Sequence, residues 1–278
     1  MANKIFKGIM HVHSRYSGDA DFTIKQIKEK FPYDFILFSE HDKGMDKKSF
    51  DDFLKDCRKN TSEKFLCVPG LEISRSKAHI LLYGTEKLFC DNDKNIEEYF
   101  RKEKLKGCLV VLAHPHKIAV SRKIIGMLNG VEAWNFDYNG AKNLPLYQFR
   151  LFNKFKKINH KLSAFAGYDF HRNIKNEQII YVEAGSLTKR DILRSIKHGR
   201  FWYKIDGYKI FPDGTVYYKD RSLNTYPLKI LWLIAVSSGI KLLQGILRAG
   251  SMSLDTLGIK GSGRIFLAKI IKKIYGKI

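Results

Sequence analysis

The histidines and acids of this chain do not scatter. They gather at the ends of short apolar runs, and that spacing restricts the fold more than any other feature. The runs occupy residues 8–12, 35–38, 65–68, 79–83, 109–113, 131–134 and 163–166. Segments of helical period lie between or after them, at 23–30, 49–58, 95–104, 122–128, 144–158 and 188–198. Alternation of this kind is the pattern of βα units around a parallel sheet, so the expected fold class is α/β. Ligands in such folds bind at the carboxyl ends of the strands, which is where the polar residues fall. Ser49, followed by Asp51 and Asp52, is the expected N-cap of the second helix.

At 278 residues and 44% hydrophobic content, the chain can bury a full core as one main domain. No repeat of 20 to 50 residues is visible. Cys57, Cys67, Cys90 and Cys108 are 10, 23 and 18 positions apart, too far for a C-x-x-C pair, and read as reduced thiols. Lys4 and Lys7 precede no secretory h-region, so a cytoplasmic protein is expected. A net charge of +22 favours anionic partners, whether nucleic acid, phosphorylated metabolites or an acidic membrane face. A lysine-rich surface with no partner would give the same balance. There is no G-x-x-x-x-G-K-[ST], no G-x-G-x-x-G and no G-x-S-x-G, which argues against nucleotide cradles and serine nucleophiles.

His11 and His13 stand two apart near the end of the first run, a spacing that puts both side chains on one face of a strand. Alone, an H-x-H pair carries little. Here it is joined by Asp19, Glu40-His41-Asp42, Glu72, His79, His114-Pro115-His116 and Asp169-Phe170-His171, so that seven of the nine histidines sit at strand ends. Divalent metals need imidazole and carboxylate ligands converging from several strands, which makes a multinuclear site the economical reading.

These segments carry a resemblance. His11-Val12-His13-Ser14, Tyr16-Ser17-Gly18-Asp19, Ser39-Glu40-His41-Asp42, Pro69-Gly70-Leu71-Glu72-Ile73, Ala113-His114-Pro115-His116 and Gly167-Tyr168-Asp169-Phe170-His171 occur in order across roughly residues 7 to 200. The chain resembles the PHP family, the polymerase and histidinol phosphatase superfamily of metal-dependent phosphoesterases. That resemblance implies a distorted (β/α)7 barrel with two or three divalent ions, Mn, Zn or Fe. His11, His13, Glu72 and Asp169 would hold one, Glu72 would bridge to a second held by His79 and His114, and Asp19, His41 and His171 would hold a third. The implied activity is hydrolysis of a phosphomonoester or phosphodiester, a phosphorylated small molecule or nucleotide, by a metal-activated water. Ions held about 3.5–4 Å apart offset the charge of such an ester. His116, Arg75, Lys77 and Arg172 follow ligands in the chain and are the candidates to clamp phosphate oxygens, so that Glu72, His116 and Arg172 form the expected catalytic set.

Two departures from the family pattern stand out: Ser17-Gly18-Asp19 in place of Ser-Asp-Gly, and Ser39-Glu40-His41 in place of Thr-Asp-His. Glu40 is then expected as an acceptor for a ligand imidazole, and Glu132 as a supporting residue. Only 34 residues separate His79 from His114, so the inserted domain of some nucleotide-hydrolysing relatives is absent. The alternative function is a PHP-fold regulatory module that keeps the metal and binds an anionic ligand, nucleic acid or lipid head group, without turnover.

The barrel is expected over 1–205, a hairpin or linker over 206–226 around Pro212-Asp213-Gly214, and a basic, partly helical extension over 227–278. From Leu228 onward, nine Lys or Arg face a single acid, Asp255. Residues 230–247 are apolar, but Lys241 near their centre disfavours a bilayer span. Together with the amphipathic spacing of 265–274, they fit either a helical cap packed on the barrel or on a dimer partner, or peripheral contact with an inner membrane face.

Overall fold

The computed structural model describes residues 3–75, 78–88, 105, 107–115, 120–139, 144–172, 178–219 and 221–223. Met1–Leu223 form one compact unit and Asn224–Ile278 a second. The expected basic extension, the helix at 95–104, and the residues Lys77, Cys90 and His116 all lie outside the described residues. Among the described residues, no helix is long and apolar enough to cross a membrane.

Along the chain come β1 (Lys4–Val12), α1 (Ile24–Lys30), β2 (Phe35–Phe38), β3 (Glu40–His41), α2 (Lys47–Asn60), β4 (Leu66–Val68), β5 (Gly70–Arg75) and β6 (Ala78–Tyr83). They are followed by β7 (Leu109–Leu112), α3 (Arg122–Met127), β8 (Gly130–Asn135), α4 (Phe136–Asn139), α5 (Leu146–Lys156), β9 (Ser163–Gly167) and β10 (Gln178–Ala184). The unit closes with α6 (Lys189–Lys197), β11 (Phe201–Ile205), β12 (Tyr208–Ile210), β13 (Val216–Tyr218) and β14 (Arg221–Ser222).

The result is a mixed α/β fold of two sheets. One has the order β14-β13-β12-β11-β10-β1-β2-β4, the other β3-β5-β6-β7-β8-β9. Two chain segments pass from the first to the second: β2 runs through Ser39 into β3, and β4 runs through Pro69 into β5. A third link joins the end of β9 to the end of β1, through Tyr168 N–H to Met10 O at 3.0 Å, Phe170 N–H to His11 O at 3.0 Å and His13 N–H to Phe170 O at 2.9 Å. All three links lie at the polar ends of the strands.

Each expected apolar run is a strand, because β2, β4, β7 and β9 are buried along their whole length and cannot alternate. The expectation of parallel βα units fails at β6, which pairs antiparallel with both β5 and β7. Strands β10 to β14 also pair antiparallel, and the expected 208–218 hairpin, realised as β12 and β13, extends the first sheet. That places it inside the first compact unit. β10 escaped the apolar-run reading because its residues alternate between buried and less buried, the signature of an antiparallel strand. The N-cap of α2 is Asp46 instead of Ser49: the Asp46 side chain accepts the Ser49 N–H at 2.7 Å, so the helix starts at Lys47.

Phe35, Phe38, Phe53, Trp134, Phe152, Phe165, Phe170 and Tyr203 are among the largest side chains fully removed from water. Close packing reaches the backbone at Gly70, where a Cβ would stand 2.4 Å from Phe38 O and 2.9 Å from Leu82 O. Gly70→Ala is therefore expected to destabilise the protein by roughly 1–3 kcal/mol, the range for an overpacked core. Urea unfolding followed by circular dichroism measures it, and a change within a few tenths of a kcal/mol would show that this junction is not tightly packed.

Candidate metal centre

Local backbone geometry sets the site. Ordinary strand alternation does not bring His11 and His13 together. The β1–β2 register shifts between Met10 and Val12, leaving His11 as a bulge with φ 61°. Asp169 (φ 57°) and His114 (φ 21°) are also left-handed, a backbone state that costs side-chain-bearing residues energy and that collects at functional sites. Neighbouring strands hold two of these turns through their own N–H groups. His11 N–H donates to the Tyr83 hydroxyl at 3.2 Å, and His114 N–H to Glu132 Oε2 at 2.8 Å.

Glu72, on β5 and 1% exposed, is the centre of the cluster. Its Oε2 lies 3.3 Å from His11 Nε2, 3.3 Å from His13 Nε2 and 3.4 Å from His41 Nδ1. Its Oε1 lies 2.6 Å from His79 Nδ1 and 3.0 Å from His114 Nε2. Asp169 Oδ1 stands 3.3 Å from His11 Nε2 and 3.5 Å from His13 Nε2. On the outer side, Asp19 Oδ2 is 3.2 Å from His41 Nε2 and 3.7 Å from His171 Nε2, while the two Nε2 atoms are 3.3 Å apart. The donor atoms fall into three groups that could each hold an ion: His11, His13, Glu72 and Asp169; Glu72, His79 and His114; and His13, His41 and His171.

The imidazoles are oriented from behind. His11 Nδ1–H donates to Glu132 Oε1 at 2.7 Å, since a carboxylate can only accept, and this orients Nε2 toward the centre, where it would ligate an ion once deprotonated. His171 does the same through the Asp169 carbonyl, 3.1 Å from its Nδ1. At His13 the partner is Ser17 Oγ, 3.0 Å from Nδ1, and the Ser17 hydroxyl in turn donates a hydrogen bond to Glu40 at 2.6 Å. Glu40 therefore acts through Ser17 and not directly on a ligand imidazole, which corrects the expectation for it. It also accepts from Ser14 Oγ at 2.7 Å. Asn135 Nδ2 donates to both Glu132 Oε2 (3.1 Å) and Asp169 Oδ2 (3.2 Å).

One atom tests whether this set fits a cation. His13 Nε2 is buried and has no hydrogen-bond partner, although two carboxylates lie within 3.5 Å. A buried nitrogen in that state costs free energy, and a divalent ion bonded to it and to those oxygens removes the cost. Mixed imidazole and carboxylate donors suit Mn, Zn or Fe.

Without an ion, protons substitute in part. Burial lowers the His13 pKa, but Asp169 and Glu72 outweigh it and raise it to about 9. The same contest raises His11. Burial pushes Glu72 and Asp169 upward, yet the surrounding imidazoles hold both well below the carboxylate range. His41 and His171 move down, through burial and the charge of His13, which keeps them neutral and ready to ligate.

No family model and no curated protein sequence matches the chain. Among solved structures it is similar to a two-domain protein from Bacteroides vulgatus containing a predicted PHP-like metal-dependent phosphoesterase. The TM-score is 0.58 and the identity 17%, over 75% of this chain and 67% of that one. The fold is PHP-like. A protein from Bifidobacterium adolescentis named as a metal-dependent phosphoesterase aligns with TM-score 0.39 and 13% identity, over 60% of this chain and 88% of that one. An amidohydrolase from Chromobacterium violaceum with bound sulfate aligns with TM-score 0.37 and 14% identity, over 70% and 96%.

Within the PHP-like frame, all nine sequence-predicted ligand residues converge. Arg172 is exposed and lines a cavity of about 400 Å³ with Asp19, Asp137, Asp169 and His171. Of the other expected clamps, only the backbone of Arg75 lies among the described residues. Sequence reading gave no role to Ser14, Ser17, Tyr83 or Asp137: Ser14 and Tyr83 act on partners 26 and 72 residues away, Ser17 joins its neighbour His13 to the distant Glu40, and Asp137 lines the cavity.

Gly167 has no room for a side chain, since a Cβ there would stand 1.7 Å from Glu132 Oε1. Gly167→Ala should push Glu132 off His11 and weaken metal affinity about 10- to 100-fold, the cost of losing a supporting partner; an unchanged affinity in a metal titration would contradict this. A second expectation concerns pH. Because the His13 pKa rises from 6.5 unfolded to about 9 folded, its contribution to metal-free stability is complete below pH 6.5 and disappears as pH rises through about 9. The melting temperature of chelator-treated protein should fall across that interval, and His13→Gln should flatten the profile.

Proposed function

We propose that this chain is a metal-dependent phosphoester hydrolase with a di- or trinuclear centre, and that its two sheets act as one distorted (β/α)7 barrel. The barrel reading is supported by the three links at the strand ends. The observation that carries the functional reading is the division of the Glu72 carboxylate: one oxygen faces His11 and His13, the other His79 and His114. A carboxylate shared in this way has the geometry of a bridging ligand, and the buried His13 Nε2 beside it, without a hydrogen-bond partner, is a further donor that a cation would use.

In this reading, His11, His13, Glu72 and Asp169 hold one ion, Glu72, His79 and His114 a second, and Asp19, His41 and His171 a third. Divalent ions bound there would supply Lewis-acid charge neutralisation and lower the pKa of an attacking water. The chain's own part is to bind and orient. Arg172, at the mouth of the cavity, is placed to take phosphate oxygens through its planar donor fork. Glu132, Ser17 and Asn135 fix the imidazole tautomers and the Asp169 carboxylate, so that little reorganisation is needed when substrate arrives. A cavity of about 400 Å³ suits a phosphorylated small molecule or a nucleotide.

The test combines elemental analysis with turnover of an aryl phosphomonoester and an aryl phosphodiester by Mn-, Zn- and Fe-loaded protein. His13→Ala and Asp169→Asn should each reduce turnover by roughly two orders of magnitude or more while leaving the far-ultraviolet circular dichroism unchanged. Full activity in either variant would reject the assignment.

A further inference from the structure

A second concavity lies at the opposite end of the strands that carry the site. It has a volume of about 610 Å³ and is walled by the turn Gly84–Thr85–Glu86–Lys87 after β6, by Gly107 and Cys108 before β7, and by one face of α6. That face presents Lys189, Leu193 and Lys197 at four-residue intervals, with Arg190 and Arg194 beside them. β6 runs from His79 at the metal centre to Tyr83 at this pocket, and β7 runs back, so Cys108 and His114 mark the two ends. Six residues of extended chain put them roughly 20 Å apart. The pocket is therefore not the substrate's cavity.

Its chemistry is one-sided. Among the described residues, five cations, Lys87, Lys189, Arg190, Arg194 and Lys197, line it with one acid, Glu86. Glu86 is taken up by an ion pair with Lys189, which ties the turn to α6. Arg194 uses one nitrogen on Asp191 at 2.9 Å. Lys87, Arg190 and Lys197 form no ion pair among the described residues. Lys197 is half-buried, and burial lowers its pKa; the nearby Cys108 thiol, itself raised by burial, stays neutral and supplies no counter-charge. With Glu86 and Asp191 already paired, Lys87, Arg190 and Lys197 repel one another across the concavity, and an anion relieves that repulsion.

We infer that this pocket is a binding site for a small, multiply charged anion of the phosphate class, separate from the metal centre. A concave volume of this size falls in the range of small-molecule sites, which favours a compact phosphorylated ligand over the extended backbone of a nucleic acid. Guanidinium and ammonium groups from two sides give both the fork and the point charge that phosphate oxygens accept. The inference does not rest on the hydrolase reading.

The experiment is equilibrium binding of radiolabelled inorganic phosphate to the full-length chain at low ionic strength, in the wild type and in variants of each site. Arg190→Glu and Lys197→Met should each weaken one class of bound phosphate by about tenfold or more, while the far-ultraviolet circular dichroism stays unchanged. Lys87→Glu, on the turn and away from the helix core, gives the same result if either helix variant fails to fold. Arg172→Ala should leave this class of binding intact. The inference is overturned if phosphate binding is indifferent to all three pocket substitutions, or if it disappears with Arg172→Ala. A single-stranded oligonucleotide that binds more tightly than phosphate and loses that affinity in Lys197→Met would also overturn it, in favour of nucleic acid.

Discussion

Taking the Glu72 carboxylate out of water is costly, and the surrounding architecture exists around the compensation for it. Five imidazole nitrogens lie within 3.4 Å of its two oxygens, and they come from the ends of β1, β3, β6 and β7 and from the chain just beyond them. No single strand could supply them. The charge can be buried only if both sheets are assembled and linked at their polar ends, so site and fold share one set of constraints. Three carboxylates, Glu72, Asp169 and Glu132, are nearly or wholly buried within this cluster, an excess of negative charge that cations of one kind or another must balance.

Much of this was legible in the sequence. Strands with both faces buried read as unbroken apolar runs, and the ligands stood at their ends in order. What remained hidden had physical causes. β3 and β5 contain Glu40, His41 and Glu72, residues that lower any strand signal, yet these strands hold the heart of the cluster. β6 gave a correct strand but an incorrect direction, because a run of AHILLY does not reveal whether its neighbours are parallel.

The H-x-H pair is more instructive. Its two imidazoles do converge, as strand alternation suggested, but only because the bulge at His11 resets the backbone between them. Glu40 likewise had a supporting role that sequence could anticipate and a route, through Ser17, that it could not. Hydrogen bonds spanning 23 to 121 residues depend on the completed fold, and no window along the chain contains them.

The left-handed backbone at His11, His114 and Asp169 bears on how such a chain can change. Each strained turn costs about 1–3 kcal/mol, supplied by packing elsewhere. Glycine or asparagine at these positions would relax the backbone and abolish a ligand in the same step. Selection for robustness and selection for chemistry therefore pull these three codons in opposite directions, and lineages that lost the chemistry would be expected to drift first at these positions.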